Sequence, residues 1–167
     1  LSVTLELQYG DWVLQSDGSF SLVSGAAKGR QDLAEALKNN YDSENPSWFT
    51  GSELWKIDSN PTFIVKSGIG VELLIHKYVE EAVRRLVDLQ DADAFVDPQE
   101  HIIEIRTLKV VKIGKMSYAF FLKVIVDSDD ELDLAFKINL IPELPEGMAQ
   151  SLAQGTELNP DIMKTFL

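Results

Sequence analysis

Alternating apolar and polar residues at both ends of the chain flank two stretches in which apolar residues recur at helical period. The longer of these is Gly70–Leu89, where Val71, Leu74, Ile75, Tyr78, Val79, Ala82, Val83, Leu86 and Val87 recur at steps of three and four. That spacing predicts one continuous apolar stripe on a helix. The opposite face carries Glu72, Lys77, Glu80, Glu81, Arg84, Arg85 and Asp88. Glu80 with Arg84 and Glu81 with Arg85 are spaced for i,i+4 ion pairs, each worth about 0.2–0.5 kcal/mol. Burial at ~1.5–3 kcal/mol per large side chain outweighs them, so packing must hold this helix. Asp91–Ala94 reads as its frayed end, and Pro98 blocks continuation. A second, narrower stripe (Leu33, Ala34, Leu37, Tyr41) predicts a helix over Ala26–Tyr41 with Ser24 as N-cap. Gly29 costs it ~1 kcal/mol against Ala, which predicts irregular first turns.

Period-two alternation predicts the strands. Val3–Tyr9 sets Val3, Leu5, Leu7 and Tyr9 against Thr4, Glu6 and Gln8. Trp12–Gln15 and Phe20–Val23 follow as short strands around the turn Ser16-Asp17-Gly18. Phe63–Lys66 is extended. Ile102–Ile113 slips phase near Thr107 and at Val110-Val111, a sign of a bulge or of burial on both faces. Tyr118–Val126 is apolar on both faces, as a central strand is, and Asp127–Glu131 is an acidic turn. Leu132–Leu140 turns Leu132, Leu134, Phe136, Ile138 and Leu140 inward and Asp133, Lys137 and Asn139 outward, which suits an edge or near-edge strand. The expected fold is α+β over residues 1–142, two main helices on a mostly antiparallel sheet. Residues 143–167 form an extended C-terminal arm, whose apolar end (Ile162-Met163, Phe166-Leu167) reads as a docking segment.

Composition narrows the function. The chain of 167 residues has no cysteine, which removes disulfides, thiol catalysis and cysteine-held zinc and fits an intracellular assembly site. Its net charge of −12 disfavours direct contact with nucleic acid or anionic lipid. No apolar run reaches the ~18 residues of a membrane helix. The N-terminal alternation is not that of a signal peptide. The first residue is Leu rather than Met, so the true start is open.

Candidate chemistry is sparse. The loop Asn45–Asp58 could bind glycans, with Trp48 and Trp55 as stacking platforms and Glu44, Glu53 and Asp58 as acid and base. The blander reading has the tryptophans pin a long loop. Gly68 and Gly70 before a helix faintly resemble a nucleotide loop, but Leu73 stands where the third small residue belongs. Asp127–Glu131 lacks the glycine of a calcium loop, since Leu132 occupies that position. His76 and His101 have no second ligand at i+4. No cofactor and no catalytic group are expected.

One resemblance runs through the order of parts. Asp17-Gly18-x-Phe20-x-Leu22-Val23-Ser24-Gly25, then Gln31 and Leu37, the long helix, Asp97-Pro98 and a meander over Ile102–Leu140 resemble the baseplate wedge or sheath-initiator family of contractile phage tails and related injection systems, a family sometimes labelled lysozyme-like. Family members often carry an acidic-Pro-Arg triplet; Gln99 stands in the Arg position here, and Glu100-His101 is inserted. The resemblance implies a non-enzymatic structural protein of the virion tail baseplate, assembled in the host cytoplasm. Its implied partners are sheath subunits, other wedge proteins, and the tail tube or hub. The expected sheath-interface strand is Leu132, Leu134, Phe136, Lys137, Ile138 and Leu140, joined by the N-terminal edge Val3, Leu5 and Leu7, with Asp97 and Pro98 as wedge contact. The alternatives are a glycan-binding or glycan-cleaving tail protein, or a baseplate adaptor without sheath contact.

Overall fold

Three consecutive strands pair antiparallel into a floor, and both long helices lie on one side of it. The computed structural model describes residues 2–8, 11–44, 50–59, 70–114, 117–140 and 156–158. In chain order the elements are β1 (Val3–Leu5), β2 (Leu7–Gln8), β3 (Asp11–Trp12), β4 (Leu22–Ser24), α1 (Gly25–Lys38), α2 (Trp55–Ser59), α3 (Val71–Asp91), β5 (Ile102–Gly114), β6 (Ser117–Val126), β7 (Glu131–Asn139) and β8 (Thr156–Leu158). The class is α+β. Phe63–Lys66, Gly68, Trp48, Phe49 and the arm outside β8 lie outside the described residues.

The α3 stripe is where the spacing puts it. Leu74, Ile75, Tyr78, Val79, Ala82, Val83 and Leu86 are buried, and Val71 and Val87 are half-buried against the same core. Its partners are Leu33, Ala36 and Leu37 of α1, Leu54 and Ile57 beside α2, and the near face of the sheet. That face is Tyr118, Phe120, Leu122, Val124 and Val126 of β6 with Leu132, Leu134, Phe136 and Ile138 of β7. Phe120 and Phe136 sit opposite in register and stack at 5.3 Å. The charged face differs from expectation. Glu80 and Glu81 lie against His76 and Lys77, one turn back, at 3.2 and 3.9 Å. Arg85 turns away instead: it donates to the Gly51 carbonyl and stacks 3.9 Å over the Tyr41 ring, pinning the loop after α1.

Strand β5 explains the phase slips. Ile102, Ile105 and Leu108 are three residues apart, which on a regular strand would alternate faces. Register shifts between Ile102 and Glu104 and between Ile105 and Thr107 each absorb one residue. All three side chains therefore stay on the helix side, opposite Val126, Val124 and Leu122. Val110 and Val111, in contrast, pair regularly with Phe120 and Ala119, and the third irregularity lies between Lys112 and Gly114.

Residues 2–8 and 11–24 form a separate ribbon of three short antiparallel ladders. β1 pairs with β4, β2 with β3, and Leu14 with Phe20. They meet in a ring of three backbone hydrogen bonds: Glu6 N–H donates to Ser21 O, Ser21 N–H to Val13 O, and Val13 N–H to Glu6 O. Helix α1 ties the ribbon down. The Gln31 amide donates to Leu5 O at 3.0 Å and accepts from Leu7 N–H at 2.9 Å, taking the place of a neighbouring strand.

Apart from a left-handed φ of +57° at Gly25, helix α1 runs unbroken through Gly29 to Lys38, contrary to the irregular first turns expected from Gly29. The glycine has a packing reason. A Cβ at Gly29 would sit 3.0 Å from the Glu100 Cα and 3.2 Å from the Leu132 Cδ1. Gly29→Ala gains about 1 kcal/mol of helix propensity but overpacks a backbone contact, at about 1–3 kcal/mol. A net loss is expected, seen as a lower urea midpoint at unchanged m-value.

Candidate functional site

Strand edges come first, because the expected interface was an edge. Strand β7 is not free along its outer side: Ala135, Phe136 and Lys137 pair with Leu158, Glu157 and Thr156 of β8. The sheet order is β5-β6-β7-β8, so Leu132–Leu140 is a near-edge strand, and three residues from the C-terminal arm cover its middle. Of the expected interface residues, Leu132, Leu134, Phe136 and Ile138 are buried under the helices, Leu140 packs on the same core, and Lys137 is half-buried on the other face. Val3, Leu5 and Leu7 are not on this sheet at all. They belong to the ribbon, where Gln31 caps the outer edge at Leu5 and Leu7. A three-residue strand and a capping side-chain amide leave no periodic signal, so alternation alone did not show that these edges are partly covered.

Of the two terminal strands of this sheet, the three-residue β8 and the thirteen-residue β5, the long open edge is β5. Its stretch Thr107–Lys112 keeps continuous register with β6 and presents backbone groups on its other side to no strand. Helix α3 packs against β5 from behind. The flanking bulges and the exposed Arg106, Lys109 and Lys112 are the devices by which edges avoid indiscriminate pairing.

Just before β5 begins, against the N-terminal half of α1, sits a buried carboxylate that spacing did not reveal. Glu100 is 1% exposed. Its Oε1 accepts the Gly25 N–H at 3.1 Å and its Oε2 lies 3.0 Å from Lys28 Nζ, which also reaches Asp32 at 2.6 Å. Burial opposes the Lys28 charge, but the bonds to Asp32 and Glu100 outweigh it and raise the Lys28 pKa. Ser24 does occupy the N-cap position, yet its side chain makes no cap bond; Glu100, 75 residues away, supplies the acceptor. Gly25 permits this because its φ is +57° and a Cβ would strike the Gln99 side chain.

The Asp97-Pro98 pair shapes the turn that presents Glu100. The Asp97 carbonyl accepts from Glu100 and His101 N–H, and its carboxylate accepts from Gln99 N–H. Pro98 O accepts from Ser128 N–H, joining the turn to the β6–β7 hairpin. His101 meets Asp91 at 2.8 Å. Among the described residues no group of three His, Asp or Glu side chains converges as a metal requires, and no helix is long and apolar enough to cross a membrane.

The glycan reading finds a clamp where it needs an acid. Glu53 accepts from Ser43 N–H and Oγ and from Lys56 Nζ at 2.8 Å. Burial works to raise its pKa, but Lys56 and Ser43 prevail and hold the carboxyl below its ordinary value. A general acid requires the opposite shift. Trp55 donates its indole N–H to Tyr41 O, while Glu44 is exposed in a turn; Trp48 and the Asp58 side chain lie outside the described residues.

Comparison with protein-family models, with curated proteins and with solved structures returns no match.

Two expectations follow. Glu100→Ala strands Lys28 and the α1 N-terminus, and is expected to cost about 3–5 kcal/mol; Glu100→Gln, which keeps an acceptor for Gly25, is expected to cost less, both read from urea unfolding. Because the folded-state pKa of Glu53 is depressed, its contribution is present above the unfolded value near 4.5 and is lost as pH falls through the folded value. The acid limb of stability below about pH 4.5 should flatten in Glu53→Gln.

Proposed function

We propose that this chain is a non-enzymatic structural subunit of a contractile-tail baseplate, assembled in the host cytoplasm and retained in the virion. In this reading it seeds the sheath by accepting a sheath strand on the open edge of β5. Other wedge proteins, and the tube or hub, hold it in place. The order of parts supports the class. The observation that carries the mechanism is the Thr107–Lys112 ladder, regular and unpaired among the described residues, with α3 braced behind it. Main-chain hydrogen bonds along such an edge give affinity, and the exposed Lys109 and Lys112 restrict which strand can approach.

Neighbouring residues of a strand point their N–H groups in opposite directions, and proline is tolerated only where the N–H faces away from the sheet. Of Lys109→Pro and Val110→Pro, the variant with the outward N–H should melt close to the parent and yet fail to nucleate sheath on purified baseplates. Sheath rings growing normally on baseplates that carry that variant would dispose of the β5 edge.

A further inference from the structure

We infer that the outward face of the N-terminal ribbon is a docking surface for a partner polypeptide with an apolar centre and a lysine- or arginine-rich rim. Cross-strand register places Leu5 with Leu22, Leu7 with Trp12 and Leu14 with Phe20. Alternation adds Val3, so seven apolar side chains share one face of the three ladders. Five of them are open to solvent: Val3 at 46%, Trp12 at 56%, Leu14 at 59%, Phe20 at 51% and Leu22 at 60%. On the other face Thr4, Glu6, Val13, Ser21 and Val23 are half-buried where the ladders meet, while Gln8, Asp11, Gln15 and Ser19 are exposed, and no ribbon residue belongs to the hydrophobic core. The ribbon is thus built inside out relative to a strand pair that packs on its own domain.

Size and charge select the occupant. The five side chains expose on the order of 500 Å² of apolar surface, near the upper end for a monomer. It also matches the apolar share of one side of a standard protein interface, about 60% of ~800 Å². Trp12 and Phe20 meet edge to face at 6.4 Å, which joins neighbouring ladders of the patch. From residue 1 to residue 27 there is no Lys or Arg, while Asp11 and Asp17 stand exposed at its margin and the whole chain carries −12. A second copy would bring the same negative rim, and anionic lipid or nucleic acid would be repelled. A protein surface of opposite charge fits. The inference rests on the ribbon alone and is independent of the β5 edge.

The test titrates the full chain with an amphipathic leucine–lysine helical peptide and with its leucine–glutamate twin. The lysine peptide should bind, more weakly as salt rises. The double variant Trp12→Ser, Leu22→Ser should lose about tenfold or more in affinity while melting at the parent temperature, and Phe95→Ser, an exposed aromatic outside the ribbon, should leave binding unchanged. Equal affinity of the double variant, equal binding of the glutamate twin, or a marked drop in its melting temperature overturns the inference. So does sedimentation of the parent as a dimer that the double variant dissolves, or binding to phosphatidylcholine vesicles. Tighter peptide binding after removal of residues 159–167 would equally overturn it, by making the chain's own C-terminus the occupant.

Discussion

The buried Glu100 carboxylate is the constraint on which the arrangement of the domain depends. Its side chain binds the N-terminus of α1 and Lys28, and its carbonyl accepts from the Gln90 amide of α3 at 2.8 Å. Gln90 in turn accepts from the Ile102 N–H, the first residue of β5. One residue thus joins both long helices to the start of the sheet. A buried carboxylate left alone would cost several kcal/mol, so this site is stable only when every donor is in place. The helix terminus adds its own partial positive charge.

That requirement accounts for several features that look unrelated along the chain. Gly25 adopts a left-handed φ so that its N–H reaches the carboxylate, Gly29 is small so that α1 can lie on the Glu100 backbone, and Asp97-Pro98 folds the turn that delivers it. Gln31, two residues beyond Gly29 on α1, holds the ribbon. The Ser-Gly step, the helix glutamine and the acidic-Pro dipeptide therefore each have a structural task within this domain.

What could be read in advance follows from the range of the interaction. The stripe of α3 and the two-faced apolarity of β6 are local patterns, and both elements form within two residues of their expected ends. The bulges of β5 were visible only as broken phase, because i, i+3 spacing in a strand is ambiguous until the partner's register is known. Glu100 was read as an insertion, since nothing near it in sequence shows its partners 72 and 75 residues away. The cover on β7 was hidden for a similar reason: its neighbour β8 is three residues long and joins from beyond a proline-containing stretch. Likewise Arg85 had a well-spaced acidic residue on its own helix, and the Tyr41 ring and Gly51 carbonyl outcompeted it.

The two unpaired surfaces are not equally attached. The edge of β5 is backed by α3, and Ile105, Leu108 and Val110 pack on the main core, so strand addition there acts on a firmly anchored part of the domain. The ribbon is held to α1 by the two hydrogen bonds of Gln31 and by half-buried side chains. At about 0.5–1.5 kcal/mol each, such bonds are far weaker than the core. A partner on the ribbon and a strand on β5 would therefore meet different compliance: the first surface can yield without disturbing the second. Helix α1 sits between them, with Gln31 toward the ribbon and Leu33 and Leu37 toward the sheet. Under the role proposed above, rigidity at one surface and give at the other would let the chain grip a fixed scaffold while its neighbour is still being laid down.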